Sequence, residues 1–139
     1  MNRTVFSILM SMFMFAVAVT LGCGSPSDPT VKWSGTVTID GQSIPSDAQG
    51  VIIVRSNSAT GASRGDQAEI VDGAYTLQNV PQGEVLVSFD IYKLVPAKDK
   101  MDAERGIEDK KILVPDRWAL GVTDTADKND SAKNFDLTK

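Results

Sequence analysis

Two segments of the chain place an apolar side chain at every second residue, and this pattern constrains the fold more than any other feature. In residues 84–92, every second residue is apolar: Val85, Val87, Phe89 and Ile91. In residues 33–39, the members of the corresponding stripe are Trp33, Gly35, Val37 and Ile39. A period of two is typical of a β-strand that buries one face. Two such strands supply two inner faces, which can pack together as a β-sandwich.

Turn signals separate further short segments rich in β-branched residues. Asp40-Gly41 follows the first alternating segment, and Asp72-Gly73 lies between residues 69–71 and 75–77, which predicts a hairpin. Tyr75 and Leu77 are expected to be buried beside Val85 and Val87. Additional strands are predicted at residues 51–54, 118–123 and 133–138. The first of these is a continuous apolar run, which predicts a strand covered on both faces.

Residues 97–111 interrupt the strand pattern with five basic and five acidic side chains. Opposite charges spaced four apart favour a short, solvated helix or an ordered loop. About seven short strands with regular turns therefore predict an all-β fold, an antiparallel Greek-key β-sandwich spanning residues 31–139.

Residues 1–22 have the layout of a secretion signal peptide. Arg3 supplies a basic start, no residue from Thr4 to Leu21 is charged, and small residues follow. A membrane-spanning helix is the alternative, because about 18–20 apolar residues can cross a bilayer. Arg3 keeps the N-terminus cytoplasmic in either case, so the sequence predicts that the remaining chain is exported.

Cys23 is predicted to be the lipid-modified first residue of the mature chain. The segment 20–23 (TLGC) resembles the bacterial lipobox, although Thr20 stands where Leu is usual. The alternative is cleavage after Ala18 by the ordinary signal peptidase, at the small-x-small pattern of residues 16–18. We favour lipidation, because a single cysteine directly after an apolar run otherwise has no evident purpose.

A lipid anchor at Cys23 predicts a protein of the bacterial cell envelope. Two acyl chains, at about 0.8 kcal/mol per buried CH₂, hold a protein on a membrane essentially permanently. Gly24 occupies the place where Asp would signal inner-membrane retention, so the outer membrane is favoured. Residues 23–30 are small, polar and rich in proline, which predicts a flexible tether between anchor and domain.

The residues that the chain lacks exclude several kinds of chemistry. There is no histidine, and Cys23 is the single cysteine. Ser-His-Asp and Cys-His catalytic arrangements, a Cys/His zinc site and an internal disulfide therefore cannot be assembled. We predict no catalytic residues, no metal and no cofactor. The formal net charge of −4 and the lack of a basic run exclude nucleic acid as a partner.

Four segments of the domain carry short motifs. Residues 34–42 (SGTVTIDGQ) contain the pattern GxVxxDG, and residues 72–83 (DGAYTLQNVPQG) contain DGxYxLxxVPxG. Residues 114–118 (VPDRW) are similar to a segment IPxKY, with Trp118 for Tyr, and residues 134–138 (NFDLT) to an FDL-containing ending. Together these motifs resemble the carboxypeptidase regulatory-like, transthyretin-related domains of small bacterial lipoproteins.

The likeness covers residues 33–138 and implies a prealbumin-like sandwich that acts as a non-catalytic module. Hydroxyisourate hydrolases, which are enzymes with this fold, use histidines and a Tyr-Arg-Gly-Ser ending. This chain has neither, so the resemblance does not imply that activity.

Tyr92 and Trp118 are candidates for stacking on a ligand. Tyr92 points away from the apolar stripe of residues 85–91, and Trp118 follows a Pro-Asp turn. Exposed aromatic rings on a sandwich can stack on sugars, whereas the alternative is that they fill the core. Trp33 belongs to an inward stripe and is interpreted as a core residue.

Two short motifs are interpreted as structural. Arg64-Gly65-Asp66 spells the integrin-binding tripeptide but is read as a turn before a strand. Asp127, Asn129 and Ser131 have the spacing of a calcium loop. The obligatory glycine and the bidentate glutamate of such a loop are missing, so we expect a solvated turn.

Three classes of function are left open by the sequence. We favour a membrane-anchored structural or protein-interaction module of the cell envelope. The second class is an accessory lipoprotein that binds carbohydrate or peptide. The third is a hydrolase that uses carboxylates alone, and no paired Asp/Glu motif in the sequence supports it.

Overall fold

The structure is a computed structural model that describes residues 29–58 and 64–139. The predicted signal peptide, Cys23 and the tether up to residue 28 lie outside the described residues. In chain order the elements are β1 (Thr30–Ile39), β2 (Gln42–Ser43), β3 (Ala48–Ser56), β4 (Gly65–Glu69), β5 (Ala74–Pro81), β6 (Gly83–Pro96), α1 (Lys100–Glu104), β7 (Glu108–Ile112), α2 (Asp116–Leu120), β8 (Val122–Ala126) and β9 (Phe135–Asp136). Thr30, predicted as the last residue of the tether, is the first residue of β1.

These strands form two sheets that pack face to face, so the predicted all-β sandwich is confirmed. The first sheet has the order β2-β1-β5, with β9 also paired to β1. The second sheet has the order β4-β3-β6-β7, and β8 also pairs with β6. The pair β1–β9 is parallel, whereas the other strand pairs are antiparallel. The Greek-key connectivity stays a prediction.

The core lies between the two predicted stripes. From β6, Val85, Val87 and Ile91 are fully buried and Phe89 is nearly so. The first sheet contributes Trp33, Val37, Tyr75, Leu77 and Val80. The apolar run of β3 differs from the expectation of cover on both faces. Its even-numbered residues, Ile52 and Val54, are buried, whereas Val51 and Ile53 are half-buried on the outer face of the second sheet.

The Asp72-Gly73 turn is the tight hairpin turn that the sequence predicts, closed by an antiparallel bridge in which Val71 and Ala74 exchange both backbone hydrogen bonds (2.9 Å each). The pairing ends at this bridge, because the two arms of the hairpin join different sheets. Both residues have positive φ (51° and 77°), as expected for a tight Asp-Gly turn. Before the turn, the Ile70 amide donates to the Gly50 carbonyl of β3 in the second sheet (2.8 Å). After it, the Gly73 carbonyl accepts from the Val37 amide of β1 in the first sheet (2.7 Å).

Two elements near the predicted strand 118–123 differ from expectation. Residues 116–120 form helix α2, and β8 begins only at Val122. Strand β7 was missed, because the charged run of residues 108–111 shows no apolar alternation. The expected short helix is present as α1, whose first turn is capped by the Asp99 carboxylate, which accepts from the Met101 amide (2.8 Å).

Residues 129–138, the C-terminal segment, run along β1 and are bonded to its backbone. The Ser34 amide donates to the Asp130 carbonyl (2.8 Å), the Lys133 amide to Ser34 (3.0 Å) and the Leu137 amide to Thr38 (2.8 Å). The Asn129 side-chain carbonyl accepts from the Lys32 amide (2.8 Å). Asn129 of the rejected calcium motif therefore belongs to this pairing, whereas the Asp127 carbonyl accepts from the Gln82 side-chain amide (2.9 Å). In the described parts of the chain, no group of His, Cys, Asp or Glu is arranged to hold a metal ion.

Phe135 of the C-terminal segment is the centre of an aromatic cluster that joins the two sheets. Its ring lies 5.3 Å from Phe89, 6.1 Å from Tyr75, 6.2 Å from Trp118 and 6.5 Å from Trp33, measured between ring centroids. Tilted and edge-on aromatic pairs at such distances contribute about 0.5–1.5 kcal/mol each beyond their buried area.

Asp66 of the Arg-Gly-Asp motif joins β4 to the neighbouring sheet. Its carboxylate accepts from the backbone amides of Gln78 and Asn79 in β5, both at 2.8 Å, and from the Gln67 amide. The carboxylate satisfies strand amides and thereby has a structural role. Gly65 and Asp66 are the first two residues of β4 itself, whereas the sequence predicts a turn before the strand.

The sandwich has two ends, which we name by their strand termini. The Thr30 end contains the start of β1, the end of β5 and the start of β6, and the Gln82 amide there donates to the Pro29 carbonyl (3.0 Å). The far end contains Ile39, the start of β3 and the Asp72-Gly73 turn. Strand β6 extends beyond it to Pro96. At about 3.3 Å per residue, the ten residues of β1 separate the two ends by roughly 30 Å.

Gly35 should be essential for seating the C-terminal segment. A Cβ atom at this position would lie 2.1 Å from the Lys133 carbonyl oxygen and 2.6 Å from its carbon. We expect Gly35→Ala to lower the free energy of unfolding in urea by about 3 kcal/mol. Gly106→Ala is the control, since its φ of 72° is strained but no atom lies within 4 Å, so a loss of about 1 kcal/mol is expected. Equal losses would contradict the close approach.

Tyr75 should make stability fall at alkaline pH. Burial, and then the nearby carboxylates of Asp130 and Asp124, raise the pKa of its phenol above the ordinary value of 10.0, and its hydroxyl donates to the Lys133 carbonyl (2.7 Å). The folded-state pKa exceeds the unfolded one, so this stabilisation is complete below about pH 10 and lost as the pH rises toward the folded-state pKa. In urea titrations, we expect the stability difference between wild type and Tyr75→Phe to shrink from about pH 8 to about pH 11. A constant difference would contradict this.

Candidate functional site

Of the two alternatives that the sequence leaves open for Trp118, the structure shows the one in which the ring fills the core. Helix α2 directs its indole into the core, where it is 9% exposed and packs edge-on against Phe89 at 5.8 Å. Its Nε1 donates to the Thr138 carbonyl (3.1 Å), and the Arg117 guanidinium lies 5.0 Å from the ring. The indole is therefore occupied by contacts within the chain and is not a stacking platform.

Tyr92 lies on the outer face of the second sheet, as predicted. It is half-buried, and its hydroxyl donates to the Gln49 side-chain carbonyl in β3 (2.7 Å). The Lys110 ammonium lies 4.1 Å from the ring centroid, a cation–π contact between β7 and β6. The ring is thus held in place by neighbours on both adjacent strands.

Tyr92 also lines a cleft of about 480 Å³ at the far end, which we call the Tyr92 cleft. Its lining residues come from the start of β3, the end of β4, the Asp72-Gly73 turn and β6: Ser46, Ala48, Gln49, Gly50, Val51, Glu69, Ile70, Val71, Asp72 and Tyr92. The volume falls within the range of about 300–1,000 Å³ that is typical of small-ligand sites. The cleft is the position where the sheet-crossing turn leaves part of the outer face uncovered.

The electrostatic character of the Tyr92 cleft is negative. Glu69 and Asp72 are the only ionisable acids or bases in its lining apart from the phenol of Tyr92. Neither carboxylate forms an ion pair with another described residue. Two uncompensated negative charges beside an aromatic ring favour a ligand that carries a positive charge.

Exposed apolar side chains are concentrated around the same end. Among the described residues, the large exposed ones are Val71, Leu94, Met101, Ile107, Ile112 and Leu120. All except Leu120 belong to the Asp72-Gly73 corner or to the β6–β7 extension. Ile112 pairs directly with Tyr92, and Leu94 pairs with Lys110. Apolar patches on a soluble domain are typical of binding surfaces.

Sequence reasoning missed Glu69, Val71 and Ile112. Val71 was interpreted as a hairpin strand residue, and its 62% exposure follows from the turn that carries the chain between sheets. Ile112 lies next to a charged run that gave no strand signal. One signal for the site was present in the sequence, the outward position of Tyr92. The residues beside Tyr92 could not be identified, because the sequence does not show that β6 pairs with β3 and β7.

Comparisons of the chain with protein-family models, curated proteins and solved structures find no match. The likeness to carboxypeptidase regulatory-like domains thus stays a prediction from sequence motifs. Within residues 29–58 and 64–139, no helix is long and apolar enough to cross a membrane.

The burial of both tryptophans can be tested by fluorescence quenching. Trp33 and Trp118 are the only tryptophans of the chain. In Trp33→Phe, which leaves Trp118 as the single reporter, we expect acrylamide to quench the native protein several-fold less than the urea-unfolded protein. Trp118→Phe is the matched variant for Trp33, which is 2% exposed. Equal quenching of native and unfolded Trp33→Phe would show that Trp118 is exposed to solvent in the native protein.

Proposed function

We propose that the chain is a non-catalytic lipoprotein of the bacterial cell envelope, anchored through Cys23 to the outer membrane. Its β-sandwich acts as a structural or protein-interaction module. The signal peptide, the lipobox-like segment and the motifs of carboxypeptidase regulatory-like domains support the exported, anchored part of this proposal. The exposed apolar residues of the far end support the interaction part.

The observation that carries the proposal is that the tether and the candidate binding surface lie at opposite ends of the sandwich. The tether enters at Thr30, whereas the Tyr92 cleft and five of the six large exposed apolar side chains lie at or beyond the far end. A domain held by a lipid on its N-terminal side presents the far end away from the membrane. That is where an envelope partner can reach it.

The second candidate function is the binding of carbohydrate or peptide. The Tyr92 cleft favours this candidate, because it combines an aromatic wall with polar groups in a volume suited to a small ligand. Trp118 no longer contributes to it. A hydrolase based on carboxylates stays the least favoured alternative, since no histidine is present and no observation assigns a nucleophile.

The anchor is tested by labelling a bacterial host with radioactive palmitate while the full chain is expressed. We expect wild type to be labelled and to sediment with the outer membrane. Cys23→Ser should lose the label and be released from the membrane, and Ser25→Ala is the matched control that should behave as wild type. A mature, unmodified chain that begins at Val19 would refute lipidation and leave export intact.

The interaction is tested by photocrosslinking in intact cells. A photoreactive amino acid is placed at Ile112 or Met101, beyond the far end, and at Thr125 or Asp127, at the Thr30 end. We expect one discrete crosslinked envelope protein from the first pair of positions and none from the second. Equal crosslinking from both ends, or none from either, would contradict an interaction surface at the far end.

A further inference from the structure

Building on the proposed interaction role, we propose that the Tyr92 cleft receives a lysine or arginine side chain carried by an extended segment of a partner protein. The occupant is inferred from the charge, the apolar surface and the aromatic contact of the cleft.

The charge of the cleft selects a cation. Glu69 and Asp72 line it, no lysine or arginine does, and neither carboxylate has an ion-pair partner among the described residues. Exposed carboxylates contribute about 0.2–1 kcal/mol each to an ion pair. An anionic ligand would be repelled by both groups, and a neutral sugar would leave both charges unused.

The apolar surface of the cleft matches the aliphatic part of the same side chains. Val71 is 62% exposed, and Val51 is half-buried beside it on the outer face. Lysine and arginine carry three or four methylene groups that pack on apolar surface while the charged group stays solvated. A small inorganic cation would gain nothing from these valines.

The chain itself shows how the aromatic wall accommodates an ammonium group. Lys110 places its Nζ 4.1 Å from the centroid of the Tyr92 ring, while Gln49 fixes the phenol hydroxyl at 2.7 Å. This contact is independent of the carboxylates, and it identifies Tyr92 as a ring that accepts a cation. Lys110 already occupies this contact, so the ring serves as a wall of the cleft, and the carboxylates of Glu69 and Asp72 supply the attraction for a partner's basic group.

The surroundings of the cleft favour a polypeptide over a free amine. Ile112 pairs with Tyr92, and Leu94 lies two residues further along β6, so exposed apolar surface continues past the cleft. An extended segment that alternates basic and apolar side chains presents both groups at the spacing of a strand. The cleft volume of about 480 Å³ leaves room for a basic side chain and part of its neighbours.

The inference is tested by titrating the isotope-labelled protein with capped pentapeptides and following the backbone amide signals by NMR. The probe is Val-Lys-Val-Arg-Val, and the comparison peptides carry Gln or Glu in place of both basic residues. We expect the basic peptide to bind most tightly, to shift the signals of residues 48–51, 69–72 and 92, and to weaken with added salt. Equal binding of the Gln peptide would overturn the role of charge.

Variants locate the site. Glu69→Gln combined with Asp72→Asn should weaken binding of the basic peptide about fivefold, as expected for the loss of two exposed ion pairs. Asp116→Asn combined with Asp127→Asn removes the same charge from exposed positions that do not line the cleft, and it should change the dissociation constant less than twofold. Equal effects of the two double variants would show that only net charge matters. If cellohexaose shifts the amide signals of the cleft residues and the peptide does not, the ligand of the cleft is a sugar, and the inference is overturned.

The crosslink at Ile112 separates this inference from the proposed function. Loss of that crosslink in the Glu69/Asp72 double variant, with the control variant unaffected, supports recognition through the cleft. A crosslink that persists at full strength overturns the inference and leaves the interaction role standing. No crosslink in the wild type removes the interaction role itself, whatever the peptide does.

Discussion

The seating of the C-terminal segment along β1, which places the Phe135 ring against both sheets, is the interaction on which the rest of the structure depends. Phe135 contacts four aromatic rings: Trp33 and Tyr75 of the first sheet, Phe89 of the second and Trp118 of α2. The segment can approach β1 closely only because Gly35 has no side chain in the way. Lys133 completes the contact, since its carbonyl accepts from Tyr75 and its ammonium lies 2.8 Å from Asp124 of β8. The last residues of the chain therefore link both sheets, and without a disulfide they serve as the cross-link of the sandwich.

This arrangement explains why the candidate site lies elsewhere. Strand β6 pairs with β3 along one edge, while β8 and β7 share its other edge. The end of β6 near β8 is enclosed by α2 and the C-terminal segment. The end near β7 projects past the sandwich with few residues packed on its outer face. Apolar side chains such as Leu94 and Ile112 are exposed there because no element covers them, and the surface beside them is free to serve binding.

The sequence alone predicted the features that depend on local residue patterns, namely the inner faces of the strands and the turns. The alternation in β1 and β6 identified both inner faces, and the two Asp-Gly turns have the positive φ that such pairs favour. The sequence could not predict which strands pair with each other. The Asp72-Gly73 turn has the sequence of a hairpin, yet hydrogen bonds to Gly50 and Val37 direct its two arms to different sheets. The sequence could not decide between exposure and burial of Trp118, because the aromatic cluster that buries it is assembled from four distant segments. The cleft depends on such pairings, so only Tyr92 could be found in advance.

The separation of the two regions has a consequence for how the molecule can vary. Val71, Glu69 and Asp72 contribute no side chain to the aromatic cluster, and the C-terminal segment contributes none to the cleft. The exposed side chains Glu69 and Val71 can therefore change with little effect on folding, because exposed positions away from caps and core contacts usually alter stability by less than about 0.5 kcal/mol. Ile70 also lines the cleft but belongs to the core. Asp72 is the exception, since its φ of 51° is best tolerated by Asp, Asn or Gly. A replacement by Asn removes the charge and keeps the turn. Asp72 contributes both to the charge of the cleft and to the geometry of the sheet-crossing turn, and the substitution by Asn changes the first without the second.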